Sequence, residues 1–239
     1  MKVHYASVFA WQKFQEDIYS FVELVDKKNF KPLNERACAA IREMREREVC
    51  DDQEWPLAAH GQGSLPTEDE IKYVATPGAY DLGDWFLIIL AEYLQPCTSP
   101  LGNWSVLKKT LALLGWNEQD YELLFIGFPN YKLLKPRLDE KSAWPITNQS
   151  PYWLWLHPHH SRAGWLPYEE VHNFQARLIE MGDEIRAFDV RRIPDIDADN
   201  PVVVEDYKDY LTQAYLDTLA MLSKAESLEQ GLFMSVWFG

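Results

Sequence analysis

Both ends of this chain carry strand character, and the long interval between them reads mostly as helix. In VHYASVFA, residues 3–10, Val3, Tyr5, Ser7 and Phe9 alternate with His4, Ala6 and Val8, the period of two that belongs to a strand. The far end carries LFMSVWF, residues 232–238, a β-branched and aromatic run after Gly231 that reads as a second strand. Two lone strands separated by helices have each other as the available hydrogen-bonding partner. The expected fold is α+β, mainly helical, with a small sheet formed by the N- and C-terminal strands and packed on a helix layer, in a single compact domain over residues 1–239.

Helical periods fill the interval. From Gln15, Ile18, Phe21, Val22 and Val25 recur at helical spacing until Asn29, and a second helix is expected from Asn34 to about Val49, with Ala37, Ile41 and Met44 inward. Pro56, Gly61 and Gly63 mark Asp51 to Leu65 as a loop. The capping-box spacing of Thr67 and Glu70 predicts a short helix toward Val74. YDLGDWFLIILAEYLQP, residues 80–96, is apolar on nearly every side and reads as the most buried helix, stopped by Pro96. WSVLKKTLALLGW, residues 104–116, comes next as an amphipathic helix, with Val106, Leu107, Leu111 and Leu114 on one face and Gly115 at its end. Tyr121 to Phe128 fits a short helix or a buried strand, and Pro129, Pro136 and Pro145 break the chain beyond it into extended pieces. A helix starting at Pro167 carries Val171, Phe174, Leu178, Met181 and Ile185, and a last one starts near Pro201.

Charge and composition exclude several classes of function. A net charge of −14, from 37 acids against 23 bases, opposes binding to nucleic acid, which needs clustered cations to neutralise phosphates. The longest apolar run, Trp85 to Ala91, falls short of the roughly 18 residues a membrane helix needs. The first residues lack both the charged and the apolar region of a signal peptide, so a cytoplasmic location is expected. Cys38, Cys50 and Cys97 are odd in number and widely spaced, which suits reduced thiols better than a disulfide framework. GQGSLP, residues 61–66, lacks the third glycine of a dinucleotide fingerprint, and no P-loop, HExxH, GxSxG or kinase signature occurs.

The region densest in chemistry is YWLWLHPHHSRAGWLPYEE, residues 152–170. His157, His159 and His160 could supply imidazole ligands to a divalent metal, the one cofactor left open, with Glu169, Glu170 or His172 completing the shell. Pro158 favours an extended segment, in which His157 and His159 point to opposite sides. The plainer reading is a loop that Trp153, Trp155 and Leu156 anchor to the core while the histidines face solvent, and an exposed face carrying Trp153, Trp155, Trp165, Tyr168 and Glu169 would offer a binding surface. DIDADNPVVVED, residues 195–206, opens like a calcium loop but has Asn200 and Pro201 at its sixth and seventh positions, so Asp199 or Asn200 is expected to cap the last helix. Asp81, Asp84 and Glu92 flank the apolar helix and are expected to have structural partners.

The order of these pieces resembles an uncharacterised family of small bacterial cytoplasmic proteins, a domain of unknown function. The resemblance runs through VHYASVFAWQKFQEDI, GDWFLIILAEYL, WSVLKKTLALLG and the AGWLPYEEV turn, and it departs at YWLWLHPHHSR, where the family carries acids. It implies the same strand-first, strand-last fold and no known activity. The expectation is a non-enzymatic cytoplasmic protein that binds a basic protein partner, as an immunity-type inhibitor does, through its acidic, aromatic-rich surface. The alternative is a metal-binding protein or metal-dependent hydrolase using His157, His159 and His160. Neither reading involves nucleic acid or a membrane, and the oligomeric state stays open.

Overall fold

The computed structural model describes residues 2–46, 65–129, 161–194 and 196–238. The elements are β1 (Lys2–Phe9), α1 (Trp11–Asp26), α2 (Lys31–Glu46), α3 (Ala79–Ala91), β2 (Leu94–Pro100), α4 (Trp104–Leu113), α5 (Glu118–Ile126), β3 (Phe128–Pro129), β4 (Ser161–Leu166), α6 (Tyr168–Glu180), α7 (Gly182–Arg186), a 3-10 turn (Val190–Arg192), α8 (Pro201–Ser227) and β5 (Gly231–Phe238). The fold is α+β and mainly helical, and its two terminal strands pair. β1 and β5 run antiparallel in unbroken register from Lys2 opposite Phe238 to Phe9 opposite Gly231.

That pair is the centre of a larger sheet than expected. β2 adds outside β1, and β4 then β3 add outside β5, giving the order β2-β1-β5-β4-β3 with every pair antiparallel. Pro96 therefore does not stop a helix. α3 already ends at Ala91, and Pro96 lies inside an edge strand, where a missing N–H costs no ladder bond if it faces away from the neighbour. Pro129 occupies the other edge strand, β3, so both flanks of the sheet carry the residue that blocks further strand addition.

Helices cover both faces, not one. Ala6, Val8, Leu166, Leu232 and Met234 face α4, α5, α6 and α8 in one core, while Phe9 and Phe233 face α1, α2 and α3 in the other. This explains why LFM at the start of β5 is continuously apolar: successive side chains enter opposite cores, and both are dry. α3 reads apolar all round for the same reason, with Trp85 to Ala91 buried without interruption.

Local signals explain some of the helix starts. Asn200 Oδ1 accepts from the Val202 and Val203 N–H groups with Pro201 at the first helical position, and Asn117 Oδ1 accepts from Asp120 N–H. Thr67 and Glu70 do form their capping contact, Thr67 N–H to Glu70 Oε2 at 2.6 Å, but only a single turn comes after it. Pro167 caps α6 from outside, one position earlier than the first helical turn. Tyr121 to Ile126 is helix, and Phe128 begins the short strand β3.

Candidate functional site

The corner from β4 into α6 divides its aromatic residues between two sides. In β4, Trp165 stands opposite Phe128 and Phe233 in register and turns toward the α1 to α3 core. There its indole stacks on Trp11, ring centroids 3.8 Å apart at 20°. Its N–H is buried and meets no acceptor among the described residues. Leu166 turns to the opposite core, and after Pro167 the first turn of α6 brings Tyr168 and Glu169 to the outside. The structure thus separates Trp165, a packing anchor, from Tyr168 and Glu169, which remain at the surface. Trp153, Trp155, His157, His159 and His160 lie outside the described residues.

Tyr168 and His172 stand one turn apart on α6, on the same face. Both reach Glu226, in the last turn of α8: His172 Nδ1 lies 2.9 Å from Glu226 Oε1, and the Tyr168 hydroxyl donates to the same oxygen at 3.5 Å. The other oxygen, Glu226 Oε2, is buried without a hydrogen-bond partner among the described residues. Desolvation, followed by the carboxylates of Glu226, Glu229 and Glu169, holds the Tyr168 phenol above its ordinary pKa. An aromatic ring and a histidine are therefore set in an acidic surround. The spacing of Tyr168 and His172 is readable in the sequence, but Glu226 arrives from 54 residues farther along, and no local pattern announces it.

Other polar groups in the fold have structural assignments. Asp81 Oδ2 accepts from Gly78 N–H as part of the α3 cap, and Asp84 is exposed. Glu92, 10% exposed at its side chain, is clasped by both arms of the Arg36 guanidinium, one at 2.8 Å, tying α2 to the end of α3. Burial pushes its carboxyl above the ordinary range against the pull of Arg36. The neighbouring Tyr93 hydroxyl donates to Asp17 Oδ2 at 2.6 Å, and burial and that carboxylate raise the phenol strongly. Removing Arg36 leaves a mostly buried carboxylate unpaired, so Arg36→Ala is expected to cost about 2 kcal/mol at neutral pH, less than a fully buried pair because the guanidinium is partly solvated. Because an unpaired Glu92 is most costly when ionised, the loss relative to wild type shrinks as pH falls to 4, and adding Glu92→Gln recovers most of it. Urea unfolding at both pH values checks this, and a loss independent of pH would refute it.

His4 is a buried titratable group. It faces α4 and α5 from β1, with its ring 5.5 Å from Trp104, and its Nε2 donates to the Phe125 carbonyl in the last turn of α5. A carbonyl only accepts, so the neutral ring carries its proton on Nε2 and leaves Nδ1 as a lone pair with no partner among the described residues. Burial lowers the pKa from 6.5 to about 4. The folded state thus binds its proton less readily than the unfolded chain, and the stability is complete above pH 6.5 and is lost as pH falls toward 4. The linked loss is about 3 kcal/mol, and His4→Phe, measured beside wild type across that window, should lack it.

Cys38 is a half-buried free thiol, raised in pKa mainly by burial, with Sγ 3.8 Å from Asn34 Oδ1. Cys50 lies outside the described residues. Asn200 caps α8 as expected, Asp197 and Asp199 are exposed, and Asp195 lies outside the described residues. Among the described residues, no group of three or more His, Cys, Asp or Glu side chains could hold a metal ion, and no helix is long and apolar enough to cross a membrane. No protein-family model, curated protein or solved structure matches the chain significantly.

Proposed function

We propose that the chain is a non-enzymatic, cytoplasmic binding protein that holds a basic protein partner against the acidic, aromatic corner where β4 turns into α6, as an immunity-type inhibitor does. The observation that supports this reading is Glu226 Oε1 shared by the Tyr168 hydroxyl and His172, with Glu169 exposed beside Tyr168 in sequence and Glu229 exposed just past the end of α8. An arginine or lysine from a partner would find there an aromatic face for cation–π contact and carboxylates for charge-assisted hydrogen bonds. The net charge of −14 would steer such a partner in from solution. Comparison with immunity proteins is an argument by analogy from charge and composition.

Glu169 and Glu229 are exposed, so reversing both to lysine should leave the melting temperature nearly unchanged. The partner co-purified from native cells should be basic and its binding salt-sensitive, and the double variant should bind it about tenfold or more weakly. Equal recovery by wild type and variant would overturn the proposal. The alternative, a metal-binding protein or metal-dependent hydrolase built on His157, His159 and His160, gains one observation: Glu226 holds His172 Nδ1 as carboxylates hold the far nitrogen of metal-bound imidazoles. Zinc titration of tag-free protein separates the two readings. Binding that is lost in His159→Ala and His172→Ala supports the metal, and no binding removes it.

A further inference from the structure

α7 and the 3-10 turn after it fold back on the middle of α8, and between them lies a cleft of about 380 Å³. Phe188, Leu211 and Tyr215 form its apolar wall, and all three are anchored in the core. Arg186, Arg191 and Lys208 form its charged wall. This runs against the composition, because a chain with 37 acids and 23 bases here lines one cleft with three bases and a single acid, Asp189.

Each cation is paired with a near neighbour in sequence: Arg186 with Asp183 at 2.6 Å, Arg191 with Asp189 at 3.4 Å and Lys208 with Glu205 at 3.5 Å. All six side chains are more than half exposed, and ion pairs of that kind contribute little and exchange readily for another anion. A fourth cation, the Arg192 guanidinium, lies 5.1 Å from the Phe188 ring centroid. The cleft lining itself carries three cations and one carboxylate beside its apolar wall. The Arg186 guanidinium also lies 5.9 Å from the Tyr215 ring centroid, joining the charged wall to the apolar one.

We propose that this cleft binds a small organic monocarboxylate with a compact apolar body. The body lies against Phe188, Leu211 and Tyr215, and the carboxylate takes the guanidinium of Arg191 and the ammonium of Lys208 in exchange for their exposed acidic neighbours. The volume is at the small end of the roughly 300–1,000 Å³ range of small-molecule sites, which limits the ligand to metabolite size. The site is independent of the acidic corner, since Thr212 and Glu226 are about 20 Å apart along α8 at 1.5 Å per residue.

The test titrates 3-phenylpropionate, and its neutral amide 3-phenylpropionamide, into the full chain labelled with nitrogen-15. Backbone shifts confined to residues 185–191 and 208–215 are expected, with the acid binding about tenfold or more tightly than the amide and losing that advantage at high salt. Arg191→Gln with Lys208→Gln should weaken the acid by about the same factor and leave both the amide and the melting temperature unchanged. Equal binding of acid and amide, undiminished acid binding by the variant, shifts that map elsewhere, or no binding up to about 10 mM would each overturn the proposal.

Discussion

Gly164→Ala is expected to prevent the β3–β4 edge of the sheet from forming and to cost about 4 kcal/mol or more. A Cβ at Gly164 would fall 2.0 Å from the Ile126 carbonyl oxygen and 2.9 Å from that of Phe128. Both obstacles are backbone, so no rotamer change relieves them, and α5 would have to move off the sheet. The contact is reciprocal, because a Cβ at Gly127 would meet Trp165 N at 2.6 Å. Gly115→Ala is the control. Its φ of +95° strains any other residue, but nothing lies within 4 Å of the added carbon, so about 1 kcal/mol is expected. Soluble yield and urea midpoints of the two variants measure the difference, and comparable losses would show that the backbone crossing at Gly164 is looser than these distances.

Trp85→Ala should lower stability by about 4 kcal/mol, the upper range for deleting an aromatic side chain from a core. Trp85 is 1% exposed and is the largest of the fully buried side chains among the described residues. Its place in α3, between the helices of that layer and the sheet, gives its neighbours little freedom to collapse into the void, so the cavity persists and the loss includes more than the transfer of the indole. The urea midpoint should fall with an unchanged slope, and millimolar indole should raise the melting temperature of the variant and not of the wild type. A loss below about 1 kcal/mol would mean that the core relaxes around the site.

The periodic parts of the fold are legible in the sequence because a buried face imposes its spacing on the residues. α4, α8 and the two terminal strands emerge where Leu107, Leu211 and the alternation from His4 to Phe9 place them. Where spacing is ambiguous, the sequence misleads. Met181 and Ile185 continue the period of α6, yet the helix ends at Glu180 and restarts at Gly182, whose missing side chain lets the Tyr215 hydroxyl approach to within 2.7 Å of a Cβ position. Leu94 and Gln95, which open β2, read as the end of an apolar helix stopped by Pro96 because helix and strand look alike over a short apolar run. At the candidate site, Tyr168, Glu169 and His172 are visible as neighbours on one helix, whereas Trp165 looks like their companion and instead faces the other core, since adjacent strand residues point in opposite directions.

The sequence alone determined the terminal strand pairing, the helical interval and the acidic character of the surface, because periodicity and net charge are properties of residue order and number. The tertiary structure alone decided that the sheet has five strands with helices on both faces, that Glu226 meets Tyr168 and His172, and that three cations share one cleft with Phe188 and Tyr215. These are contacts between residues tens of positions apart. Such contacts form when separate apolar faces are buried together, and no local pattern in the chain encodes which surface groups that burial brings side by side.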